Sequence, residues 1–180
     1  MFKCLTGKSR TAIALGAAVL VVLIVVTALP RSVTGSESSV RMIARGGGTT
    51  MIEGGTGSAG GFVPVLTTVA FHAAAAVGGG VTGDFECLAR APRTTTSADS
   101  ADFTTNAMYV TGHVTDAKRS GDTAALSGMA TITGLGAGTD VPFTFVLTKG
   151  GPGATAVLTT DGSTRLVFHE VLVEGSFEID

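Results

Sequence analysis

The chain has 180 residues, 44% of them apolar, with twelve Lys and Arg against fourteen Asp and Glu. Beyond residue 31 the balance is eight basic to fourteen acidic, a net of −6. That sign repels phosphate backbones and supplies no basic face for anionic lipid headgroups, which argues against nucleic acid as a partner.

Lys3, Lys8, Arg10 and Arg31 all lie at or before position 31, and no acidic residue does. Between them, residues 12–29 (AIALGAAVLVVLIVVTAL) form an apolar run of eighteen without a charge. An α-helix of that length is about what crosses a ~30 Å hydrocarbon layer. The lipid bilayer is therefore the expected partner of this segment, with the N-terminus cytoplasmic and the remainder outside. The run exceeds the ~7–15 residues of a signal-peptide core, which favours a retained anchor. Val26-Thr27-Ala28 offers small residues to a signal peptidase, so cleavage and secretion stay open. Pro30 ends the helix in either case.

Residues 31–60 are rich in Gly, Ser and Thr, including GGGTT at 46–50 and GGTGSAGG at 54–61. So little apolar surface predicts a flexible tether, with at most one short strand at Met51-Ile52. The glycines do not make a nucleotide loop, because no Lys-Ser/Thr pair closes one. The expected organisation is an anchor or signal over 1–30, a linker over 31–60 and an exported domain over 61–180.

From Phe62 onward the apolar period is two. Val81, Gly83, Phe85, Cys87 and Ala89 share one face of a strand, opposed by Thr82, Asp84 and Glu86. Met108, Val110, Gly112 and Val114 do so in the next, and Ala124, Leu126, Ala130 and Ile132 in the one after. Val141, Phe143, Phe145 and Leu147 follow, then runs at 154–160 and 164–173. Ser120-Gly121-Asp122 and Asp161-Gly162 predict hairpin turns, the latter of type I′. No amphipathic helix follows residue 31, and glycines cut short the alanine patch at 73–76. Seven or eight antiparallel strands predict one all-β sandwich or small β-barrel, preceded by the N-terminal helix.

Cys4 and Cys87 lie on opposite sides of the membrane run, so they cannot form a domain disulfide. Alternation puts Cys87 in the core as a small hydrophobe. Alternation puts His113 on the solvent face, and His72 sits at the end of the first strand beside an alanine run; both are expected to be ordinary histidines. His169-Glu170 interrupts an apolar strand, and adjacent residues there point to opposite faces. The structural expectation is a hydrogen-bonded histidine beside a rim carboxylate; the functional one is ligand binding or acid-base work, helped by a bulge. No second His or Cys at i+2 or i+4 completes a metal set, so no metal and no cofactor is expected. Asp99, Asp102 and Asp140 sit in loops and could ligate a cation or partner, although turn carboxylates are commonly just solvated. The polar loop 90–106 and the 134–140 connection are the first places to look for binding.

Several segments act as a set: Gly80–Cys87, Met108–Gly112, Ser120–Ala124, Gly134–Asp140 and Phe168–Glu170. Together they resemble a group of bacterial exported or membrane-anchored all-β domains without established activity, over roughly 62–180. The resemblance implies location and β architecture, and no catalytic assignment. The expected function is a non-enzymatic envelope interaction or structural module, with an envelope protein or glycan as partner. Two alternatives are a small-molecule-binding barrel carrier and a hydrolase or isomerase using His169 or Glu170.

Overall fold

The computed structural model describes residues 41–55, 65–76, 78–92 and 105–180. They form eight strands: β1 (Arg41–Gly55), β2 (Val65–Ala75), β3 (Val81–Ala91), β4 (Thr105–Ser120), β5 (Thr123–Gly134), β6 (Gly138–Thr148), β7 (Thr155–Asp161) and β8 (Arg165–Ile179). Each pairs antiparallel with its sequence neighbour, and β1 pairs with β8 to close a barrel. The all-β expectation holds, and of its two forms the barrel is the one adopted. Among the described residues no helix is long and apolar enough to cross a membrane. The expected helix over 12–29 lies outside them.

The largest departure from the sequence reading is β1. Residues 41–55, expected within a tether, are a full strand with two partners, running from Arg41↔Ala75 and Ala44↔Ile179 to Ile52↔Glu170. The reason is steric. One inward row across the barrel reads Phe177, Gly46, Phe71, Phe85, Gly112, Ala130. Phenyl rings in this row are flanked by residues that carry little or no side chain. A Cβ on Gly46 would lie 2.4 Å from the Ser176 carbonyl oxygen and 3.1 Å from Phe71 Cζ. One on Gly112 would lie 2.7 Å from Phe143 Cε1. Glycine in β1 therefore makes room for rings contributed by other strands, which propensity alone does not foresee.

Phe145 lies at the middle of the filling. Its centroid is 5.4 Å from Phe71, 4.9 Å from Phe85 and 6.3 Å from Phe177, in tilted or edge-on contact. Phe143 stacks on Phe85 at 5.1 Å. An eight-stranded barrel is about wide enough inside for side chains to fill it, and here they do. The inward positions predicted for β3 to β6 are in the interior, Cys87 among them, except Val81 and Gly83 at the start of β3, which are half-buried.

Bulges bend the strands into closure. Val173 is an extra residue in β8 opposite Thr49-Thr50, and Glu53 is one in β1 opposite His169-Glu170. The first changes the phase of β8, so Leu172 and Phe177 both point inward. The β4–β5 turn is the tight pair Gly121-Asp122, with Gly121 at φ 59°, as a type II′ hairpin requires at its first position. The β7–β8 turn is not the expected type I′ pair. Asp161 still pairs with Arg165, which leaves the three residues 162–164 in the loop. Gly162 is not among the glycines with positive φ.

Removing the central ring tests this account. Phe145→Ala should lower unfolding stability by about 3–5 kcal/mol, read from urea unfolding curves.

Candidate functional site

Two places on the barrel gather polar groups. The first is interior. Glu170 on β8, Thr50 on β1 and Thr67 on β2 are all buried, on three successive strands of the barrel wall. The Thr50 hydroxyl donates to Glu170 Oε2, and the Thr67 hydroxyl reaches the same oxygen at 2.9 Å. The two hydroxyls also touch each other. Burial drives the Glu170 carboxyl above its ordinary value, and the two threonine hydrogen bonds oppose that rise. Burial first, and the Glu170 carboxyl second, push the nearby Cys87 thiol well up. Cys87 is therefore a protonated core residue and no nucleophile.

The expected form of the His169-Glu170 pair is reversed. Glu170 is the buried member and His169 the exposed one, on opposite sides of the wall. The alternation of faces holds, but a buried carboxyl takes the place of the expected rim carboxylate. Threonines from β1 and β2 satisfy it, and their register with β8 is not visible along one strand. The bulge at Glu53 lies opposite the pair, yet it does not bring the two side chains together. No single cleft holds both, so the geometry does not supply the convergence that an acid-base role for the pair needs.

The second place is the outer face of β2 to β5. Cross-strand register sets outward side chains in rows about 7 Å apart along the strands. One row reads Arg45, His72, Asp84, His113, Met129. The next reads Gly47, Ala70, Glu86, Thr111, Thr131, and a third Thr68, Leu88, Tyr109, Thr133. Between the first two lies a hollow of about 550 Å³, whose rim includes His72, Asp84, Glu86, His113 and Asp140. Beyond Glu86 lies a second, of about 560 Å³, edged by Leu88, Arg90, Asn106 and Tyr109. Ala70 and Glu86 line both, so the two adjoin.

In the first row, His113 Nδ1 lies 2.9 Å from Asp84 Oδ1, and His72 Nε2 lies 3.8 Å from Asp84 Oδ2. The sequence reading placed His113 outward, gave His72 no face, and treated the two singly. What it lacked was the register that sets them on either side of Asp84. Asp140 stands on the same hollow, at a bulge of β6 against β5. Its φ of 53° is the one positive value among the described non-glycine residues. Asp99 and Asp102 lie outside the described residues. Among those described, no three His, Cys, Asp or Glu side chains meet as a preformed metal cage.

No family model, no curated protein and no solved structure matches this chain.

The upward shift of the interior carboxyl has a measurable consequence. A carboxyl whose folded pKa is raised favours the native state most below its unfolded value, near 4.5, and that contribution is lost as pH rises through the folded value. Glu170→Gln should remove this component. The stability difference between variant and wild type should then shift in favour of the variant from pH 4.5 upward, in urea titrations. Parallel stability curves for the two proteins would show that the carboxyl titrates normally.

Proposed function

We propose that the chain is a non-enzymatic module of a bacterial envelope, held outside the membrane by residues 12–29, that binds a glycan along the outer face of β2 to β5. The observation that carries the binding part is the pair of adjoining hollows there. Concave surface is uncommon on the outside of a small closed barrel, whose wall curves away from solvent. This one is lined by groups suited to sugars. Thr111 and Thr131, with Thr68, Thr133 and Asn106, offer uncharged donors and acceptors. Glu86 and Asp84 accept from hydroxyls, and Tyr109, 39% exposed, presents a ring face with a polar tip. Arg90 and Asn106, expected as the ends of a polar loop, are paired strand residues of β3 and β4, and residues 93–104 between them lie outside the described residues.

The carrier alternative draws on the interior, where Glu170 could anchor a small molecule. The phenyl rings around Phe145 occupy the space such a ligand would need, so the outer face is the better supported site. Export and anchoring rest on the apolar run and its basic flank. The acid-rich remainder agrees with a partner that is not a polyanion.

Binding of the purified full chain in detergent to cell-wall glycan preparations tests the reading. Saturable binding should weaken at least fivefold in Tyr109→Ala combined with Thr111→Val, while Val173→Ser on β8 leaves it unchanged. Binding that ignores the β4 substitutions, or binding only to envelope proteins or peptides, would refute the glycan assignment.

A further inference from the structure

We propose that His72, Asp84 and His113 form a binding site for a divalent transition-metal ion on the outer wall of the barrel. The three residues come from adjacent strands β2, β3 and β4 and stand directly opposite one another, His72↔Asp84 and Asp84↔His113. Both imidazoles already turn a nitrogen toward the central carboxylate, His113 Nδ1 at 2.9 Å and His72 Nε2 at 3.8 Å. In a tetrahedral zinc site with bonds of about 2.0–2.1 Å, ligand atoms stand about 3.3 Å apart. The two observed separations fall on either side of that figure.

As they stand, the imidazoles flank Asp84 and do not meet at one point. All three side chains are at least half exposed, at 51% for His72, 60% for Asp84 and 87% for His113. Rotation of exposed side chains, with no movement of the strands, can therefore close them on an ion. Two imidazoles and one carboxylate make a donor set that suits zinc, nickel or copper, and leave one position for water. Oxygen-preferring Mg²⁺ and Ca²⁺ are poorly served by it.

The surroundings favour a cation independently of that row. Glu86 stands two residues along β3 on the same outward face, and Asp140 lines the same hollow. Among the described residues no Lys or Arg lines it. The cation next in the row, Arg45, is held by Glu178 at 2.6 Å. Three carboxylates thus face the hollow, and among the described residues only the two imidazoles stand there as bases.

This inference shares Asp84 and one hollow with the glycan reading but does not depend on it, and it is tested without a glycan. Full-length protein carrying Cys4→Ser, free of any affinity tag, is titrated with Zn²⁺ by calorimetry and with Co²⁺ by visible absorption. The expected result is one ion per chain, with Mg²⁺ and Ca²⁺ unable to compete at a hundredfold excess. His72→Gln and His113→Gln should each weaken binding at least tenfold, Asp84→Asn likewise, and His169→Gln should leave it unchanged. Far-UV circular dichroism of each variant reports that the barrel remains folded. Absence of binding, equal competition by Ca²⁺, or an affinity insensitive to either of the two row histidines would overturn the assignment.

Discussion

The structure depends on closing β1 against β8, the one long-range pairing in an otherwise sequential meander. Every other strand meets its neighbour across a local connection. The seam instead joins residue 44 to residue 179, and it forms only if both strands can lie close over the aromatic interior. Glycine opposite phenylalanine meets that condition. Gly46 stands between Phe71 and Phe177 in one row, where a methyl group would strike backbone and ring together. The Gly-rich start of the domain is thus as much a part of the core as the phenylalanines it accommodates. Closure also removes the free strand edges that would otherwise pair with other chains.

A barrel filled in this way divides its chemistry between two sides of one wall. Inside, Thr50, Thr67 and Glu170 satisfy one another where three strands meet, and Cys87 is silenced by the same burial. Burial of a carboxylate at such a place disfavours the ionised form, and that raises the Glu170 pKa against the pull of the two threonine hydrogen bonds. Outside, the side chains that could act on a partner are spread over β2 to β5 in rows set by register. The opposite face, on β6 and β7, carries Thr144, Val146, Val157 and Thr159 at its centre. The barrel therefore has a charged side with hollows and an uncharged side without titratable groups at its middle.

Much of the architecture was legible along the chain. Alternation in 81–89, 107–115, 123–133 and 141–147 identified inward residues correctly, because each of those strands has one wet face and one dry face. Two things were not legible. Residues 41–55 contain too few large apolar side chains to announce a buried strand, since their inward positions serve rings from elsewhere. Residues 174–179 follow the bulge at Val173, beyond which the period restarts on the other parity. The sites suffered more than the fold. His72, Asp84 and His113 are 41 residues apart from first to last, and only the pairing of β2, β3 and β4 reveals them as one row. Glu170 was visible as a polar interruption. Its threonine partners were not, because cross-strand partners are chosen by register and not by spacing.

The raised carboxyl inside the wall also ties folding to the composition of the solvent. Between its unfolded value and its higher folded one, the folded barrel holds more proton on Glu170 than the unfolded chain does, so folding in that window takes up proton as the barrel closes. The buffer supplies it, and its own ionisation enthalpy enters the heat of refolding. Calorimetric enthalpies measured in that window in two buffers of unlike ionisation enthalpy will therefore differ for this protein even where its stability is the same.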